Sequence, residues 1–369
     1  MWSQVLALVI KELLAVLRDA KSRVVLIGPP LIQLMVFGYA ATFDLNHVPM
    51  ASYNQDTSQA SRELVAHFAG SPTFHVVAML GSGRRINSLI DSRQVQLVLV
   101  IDRRFTRDLL THQPAPVQAI VDGRNSNTAL LIEGYANTIL TNFALNWDEA
   151  HGGPAPPAVL VLRALYNPTL SSRWFIVPGI VALLTQVVTL LVVGLSVARE
   201  RETGTFDQLL VTPMRPVDIL LGKGLPGVLI GTVEASVIVA AAVLWFDIPL
   251  RGGLLPLYLG LLLFVIAVTG IGLMLSSLAS TQQQALLGAF LFMVPSIILS
   301  GFATPIANMP AWVQDLTLIN PMRYFLVIVR GVFLQGAGIG ALASQYWPMA
   351  VIGAVNLVAA AWLFRRRTL

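Results

Sequence analysis

The sequence predicts a mainly α-helical integral membrane protein: six transmembrane helices, with an α+β extracytoplasmic domain inserted between helices 1 and 2. Three observations carry this. Only 12% of the 369 residues are charged and 55% are hydrophobic, with a mean hydropathy of +0.71; soluble chains carry about 25% charged residues. Apolar runs of spanning length, about 20 residues, fall at 24–42, 174–197, 221–246, 254–278, 284–302 and 346–364. Residues 43–172 have another composition, mixing charges, prolines and short apolar runs. The absence of cysteine removes disulfides, thiolate metal sites and cysteine nucleophiles. The formal net charge of +5 does not read as nucleic-acid binding. Lys and Arg gather at the ends of apolar runs, as membrane orientation requires.

The elements follow in order. Residues 1–23 form an amphipathic helix at the cytoplasmic interface. Trp2, Val5, Leu6, Val9, Leu13, Val16 and Leu17 share one side, and Lys11, Glu12, Arg18 and Asp19 the other. A helix packed on a soluble partner is the alternative. The first span, 24–42, offers small residues at Gly38-Tyr39-Ala40 as a signal peptide would. Its apolar run exceeds the 7–15 residues of a signal core, so it reads as a retained anchor. Pro29-Pro30 should kink it. In 43–172, strands are expected at 48–53, 73–80, 95–101 and 116–121, with helices between them and a long helix at 126–149 capped by Asn125 or Ser126. This alternation gives a four-stranded sheet, and 151–158 (HGGPAPPA) is a stiff linker to span two. The remaining segment, 173–369, holds the other five spans. Its segment 303–345, with Pro305, Pro310 and Pro321, reads as short re-entrant or interfacial helices on the outer face.

Orientation follows from charge. Lys11, Arg18, Lys21 and Arg23 precede span one; Arg199, Arg201, Arg215 and Lys223 lie between spans two and three; Arg365, Arg366 and Arg367 follow span six. Only Arg251 lies between spans three and four. Both termini and the 198–220 loop are therefore expected on the cytoplasmic side, although Arg323 and Arg330 fall on the outer side.

No catalytic or metal-binding pattern appears. LLGKGLP (220–226) lacks the glycine spacing and the Ser or Thr of a phosphate loop. There is no H-E-x-x-H and no G-x-S-x-G. The expectation is a non-enzyme with no cofactor of its own.

One dense charged stretch interrupts the apolar chain: RERETGTFDQLL, residues 199–210. Arg199, Glu200, Arg201 and Glu202 would extend span two as a stalk. Gly204 frees the turn, and Thr205 and Gln208 have capping-box spacing. Thr212-Pro213 ends the helix. A two-turn helix, 205–211, should present Phe206, Leu209 and Leu210, exposed unless a partner buries them. A solvated loop that merely fixes topology would need neither the alternating signs nor the apolar tip.

VARERETGTFDQLLVTPMRP with LLGKGLP (197–226), and MLSSLASTQQQA (274–285) followed by LSGFATPIANMPAWVQDLTLINPMRYFLVIVRGVFLQG (299–336), resemble the ABC-2 type transporter permeases. The plan of anchor, large outer domain and five further spans is similar too. The resemblance implies that the loop after span two is a coupling helix docked on a separate ATP-hydrolysing subunit. Glu200, Glu202, Gly204, Thr205, Phe206, Leu209, Leu210 and Pro213 would belong to that element. It also implies a dimer of permeases, with a second copy or a paralogue, around a path lined by spans two and five. ATP and magnesium would then sit on the partner ATPase, and a periplasmic adaptor and membrane lipids are further expected partners. Thr185, Gln186, Thr189, Glu234, Gln284 and Ser296 are the polar candidates for the substrate path, and Phe290, Phe292 and Met293 the adaptable apolar ones. Ordinary interhelical packing is the alternative for each. The function expected is export of an amphipathic small molecule or drug. The alternatives are lipid or glycolipid export, an ion-driven antiporter centred on Glu234, and a membrane sensor.

Overall fold

The computed structural model describes residues 2–18, 20–40, 45, 47–124, 126–152, 166–167, 171–206 and 214–368, the side chains of 20–22, 25–26, 40, 126–127 and 367–368 excepted. The chain divides into two compact units: Met1–Thr42 with Ala164–Leu369, and Phe43–Arg163.

The smaller unit is a sheet of β1 (Val48–Asn54), β2 (Phe74–Met79), β3 (Leu97–Ile101) and β4 (Val117–Val121) in the order β2-β1-β3-β4. β1 is parallel to β2 and β3, and β4 runs antiparallel to β3. The inner strands are buried on both faces, which is why β3 reads as an unbroken apolar run, LVLVI. Met50, Leu97 and Leu99 pack with Leu64 and Phe68 of α3 (Gln59–Ala69), Phe105 of α5 (Phe105–Leu110) and Ile132 and Phe143 of α6 (Ser126–His151). Ala51 and Val98 face Ile86 and Leu89 of α4 (Ile86–Asp91) instead. The expected cap at Asn125 and the linker beyond 152 lie outside the described residues.

The larger unit is helical: α1 (Trp2–Arg18), α2 (Ala20–Ala40), α7 (Ser172–Glu202), α8 (Pro216–Leu244), α9 (Leu254–Leu278), α10 (Gln282–Ile298), α11 (Ala311–Leu316), α12 (Pro321–Arg330) and α13 (Ile339–Thr368). α7 is central, packing on α2, α8, α9, α10 and α12; α9 pairs with α13, and α1 lies on α8. Close approach of α7 and α8 depends on two glycines. A Cβ at Gly227 would run into Val193, and one at Gly231 into Thr189.

Among the described residues, four helices are long and apolar enough to cross a bilayer, Ser172–Glu202, Pro216–Leu244, Leu254–Leu278 and Ile339–Arg366, or five if the bent pair within 311–335 is one span. At the other two expected positions the described apolar stretches are Ile27–Tyr39, within the 21-residue α2, and Gln282–Ile298. Lys21 and Arg23 charge the start of α2, and α10 stops before a turn at Gly301, whose φ of +85° suits glycine alone. Pro29 and Pro30 lie within α2. The segment expected as short re-entrant or interfacial helices is a bent helix pair whose second arm packs into the core. α11 and α12 meet at a sharp bend of 86°, counting the helical turns that follow each. Met322, Phe325, Ile328, Val329 and Phe333 are buried in the bundle, with Phe325 stacked on Phe264 at 4.5 Å. α13 then begins at Ile339, earlier than the expected 346.

α1 buries only part of its apolar side within its own unit. Val5, Leu8, Val9 and Val16 are buried in its own chain, while Trp2, Leu6, Ile10 and Leu17 are exposed. Glu12, placed on the polar face by the helical wheel, is buried with the first group.

Candidate coupling site and intramembrane pathway

α7 ends in a glycine-dependent turn. Gly204 adopts φ +72°, its N–H donates to the carbonyl of Arg201, and the N–H of Thr205 donates to that of Glu200. This pairing is a Schellman motif. It fixes where the charges of the stalk point.

Three of the four charged residues tie α7 to other helices. Glu200 is buried, and its Oε1 accepts from Lys11 Nζ of α1 and Lys223 Nζ of α8, each at 2.7 Å. Lys223, fully buried, also donates to Glu12 Oε1 at 2.6 Å and to the carbonyl of Ser196 at 3.4 Å. All three ammonium protons therefore have acceptors. Arg201 Nη1 donates to the carbonyls of Ser277 (2.8 Å) and Ala279 (3.2 Å), where α9 ends. Glu202 Oε2 accepts from the backbone N–H of Gln282 at 2.8 Å, the start of α10, where a carboxylate also meets the positive end of the helix dipole. Arg199 is half-buried. The charged turn thus connects α1, α8, α9 and α10.

Phe206 departs from expectation. It is buried in its own chain against Val197, Ile219, Leu273 and Phe364, edge-on to Phe364 at 5.9 Å, with Arg201 over its ring at 4.9 Å. It is an anchor of the turn and not an exposed tip. Thr205 Oγ1 donates back to the carbonyl of Glu200. The remaining tip residues, Leu209, Leu210 and Pro213, lie outside the described residues.

Deeper in the bundle, Gln186 and Ser296 are brought together. Ser296 Oγ donates to Asn320 Oδ1 at 2.9 Å and lies 3.4 Å from Gln186 Oε1. Asn320 Nδ2 returns a bond to the carbonyl of Ser296 at 2.7 Å. This chain joins α7, α10 and the N-cap of α12. Gln186 Nε2, Thr189 Oγ1 and both carboxylate oxygens of Glu234 are buried, with no hydrogen-bond partner among the described residues. The α7–α8 register, 193 against 227 and 189 against 231, sets Glu234 level with Gln186. Thr185 is satisfied by the carbonyl of Val181. Phe290 and Met293 line an apolar groove of about 450 Å³ with Val187, Leu191 and Leu287. Gln284 does not belong to this group. Its Oε1 accepts from the N–H of Ser280 at the head of α10, about 18 Å along the helix from Ser296 at 1.5 Å per residue.

Reading the sequence assigns Lys11, Lys223 and Arg330 only a part in orientation and Glu12 only a polar face, and it does not single out Asn320. Lys223 carried a usable signal: a lysine inside an apolar span demands an acidic partner.

This arrangement, apolar spans tied at one end by a charged turn, is that of a membrane transport component. The chain matches the family model for the ABC-2 family transporter protein over residues 24–362, and it belongs to that family. It is 40% identical over 370 residues, all of both chains, to the "Probable multidrug ABC transporter permease YbhR" of Escherichia coli K12. It is also 31% identical, over all of this chain and 98% of the other, to the "Probable multidrug ABC transporter permease YbhS" of the same strain. The "Inner membrane transport permease YhhJ" of that strain is 28% identical over 97% of this chain and 96% of its own.

Proposed function

We propose that this chain is the permease subunit of an ATP-driven exporter in a bacterial inner membrane, moving amphipathic small molecules outward. Its termini and charged turn face the cytoplasm and the α/β unit faces outward. A separate ATPase subunit binds and hydrolyses ATP with magnesium. A second permease, a copy or a paralogue, completes the path, and a periplasmic adaptor is a further proposed partner. The names of the relatives support the substrate class. The observation that carries the reading is the wiring of the turn: a push at 199–206 reaches α1, α8, α9 and α10 together. Such a unit delivers a partner's movement as a largely rigid body.

The test must separate docking from folding, because Glu202 and Phe206 hold the chain itself together. Leu209→Glu and Leu210→Glu, alone and combined, should abolish co-purification with the ATPase while leaving the thermal unfolding of the permease unchanged. Retained assembly with full ATP-dependent transport would sink the coupling assignment. Glu234 supports a second reading, ion-driven antiport, because its carboxylate is buried and unpartnered. That reading expects transport without ATPase, lost in Glu234→Gln.

A further inference from the structure

We propose that Arg330 is an oxyanion-binding station, whose guanidinium edge receives the carboxylate or phosphate of an amphiphile. Arg330 closes α12, at the opposite end of α7 from the charged turn. The face of its guanidinium is covered: the central carbon lies 3.7 Å from the centroid of the Phe175 ring. Its edge is free. Nε and Nη2 are both buried and have no hydrogen-bond partner among the described residues. These two nitrogens form one side of the fork, presenting parallel N–H groups at the spacing a carboxylate or phosphate matches bidentately.

The contrast with Lys223 is informative. Where this chain buries a cation for structural purposes, it supplies two carboxylates and a carbonyl. Arg330 makes no ion pair among the described residues. A guanidinium stays charged, and a buried charge without a partner is costly, so an incoming oxyanion is stabilised there.

The surroundings suit an amphiphile. A Cβ at Gly179 would lie 3.5 Å from Arg330 Nη2 and run into the Phe302 ring, so the glycine lets Phe302 lie against α7 beside the fork, with Phe175 on the guanidinium face. Phe175, Gly179 and Gln186 are spaced by four and seven residues, which puts them on one stripe of α7. The Arg330 fork and the Gln186–Ser296–Asn320 chain therefore lie along the same helix face. Assigning the fork to a passing substrate rests on the proposed function; its oxyanion chemistry does not.

The test is direct binding to the full-length permease in dodecyl maltoside, which carries no oxyanion. The probes are deoxycholate and its uncharged methyl ester. Arg330→Gln should weaken deoxycholate binding by about tenfold or more, the worth of a charge-assisted hydrogen bond, and leave the ester unchanged. Arg330→Lys keeps the charge and loses the fork, and should fall between. If Arg330→Gln fails to fold, judged by thermal unfolding, Arg330→Lys carries both comparisons. Phosphatidylglycerol retained through purification is measured in parallel. Its loss in the variants with deoxycholate binding unchanged would support the station and assign it to a lipid headgroup. Equal weakening of acid and ester, or no response from deoxycholate and lipid alike, would overturn it. No ATPase is needed, so absence of ATP-driven transport in the wild type would refute the proposed function without touching this assignment.

Discussion

At the scale of single residues, the charge cluster around Lys223 is balanced: two ammonium groups, Lys11 and Lys223, meet two carboxylates, Glu12 and Glu200. Breaking a buried pair by removing one partner costs about 3–5 kcal/mol, because the other charge is left uncompensated. Lys223→Met should therefore destabilise the chain by an amount of this order in SDS-induced unfolding. Adding Glu12→Gln should cost less than the sum of the two single changes, since the second removes a charge the first stranded. Strict additivity would show that Glu12 and Lys223 are not coupled. A pH effect belongs to Asp122 in the α/β unit. Hydrogen bonds from Arg124 hold its carboxyl down at about 2, from an ordinary 3.8. Arg124 in turn donates to the carbonyl of Ile90 at 2.6 Å, tying α4 to the end of β4. A depressed folded value means the tie contributes fully above the ordinary value and is lost as pH falls from about 4 to about 2. Amide exchange at 121–124 should rise across that window, and Asp122→Asn should remove the dependence.

At the scale of elements, the α7–α8 contact sets the geometry of the path. Gly227→Leu should force α7 and α8 apart and lower transport. Gly227→Ala combined with Val193→Ala should recover more of it than Gly227→Ala alone, because Val193 is what the new methyl meets. Period and length made most helices legible: α7, α8 and α9 are uniform apolar runs ended by charges, prolines or a polar turn. α12 was not legible. Its amphipathic period resembles that of an interfacial helix, and only the tertiary fold shows its apolar side taken by α9, as in Phe325 on Phe264. Glu12 failed for a related reason, since a helical wheel sorts by polarity and cannot see a lysine in α8. The candidate path was half legible. Gln186 and Ser296 were found because polar groups in a span are conspicuous, but their link Asn320 sits between short helices that read as lying at the outer face rather than in the bundle. Gln284 misled, because a polar residue at the head of a helix is as often a cap as a lining.

At the scale of the whole molecule, the proposed pairing of permeases has a measurable surface. α10 exposes Leu286, Leu287, Phe290 and Leu291 along one side. The chain has no cysteine, so single cysteines report cleanly. Leu287→Cys or Leu291→Cys should cross-link into a dimer in native membranes, while Val358→Cys on α13, equally exposed, should not. Equal cross-linking at all three positions would count against a pair formed through α10. Under the proposed function, the turn at 199–206, braced from inside by α1, α8, α9 and α10, would carry a partner ATPase's movement into the bundle.

The Glu12–Lys223 pair also has a consequence for biogenesis. Its two halves are 211 residues apart in the chain. At a translation rate of about 5–20 residues per second, Glu12 waits roughly 10–40 s after synthesis for its counter-ion. During that interval α1 lacks the lysine that later buries its carboxylate, so it cannot settle into its final seat. Docking of the first helix is thereby a late step, completed only once α8 has entered the membrane. A nascent chain stalled before that point would hold α1 without its seat on α8.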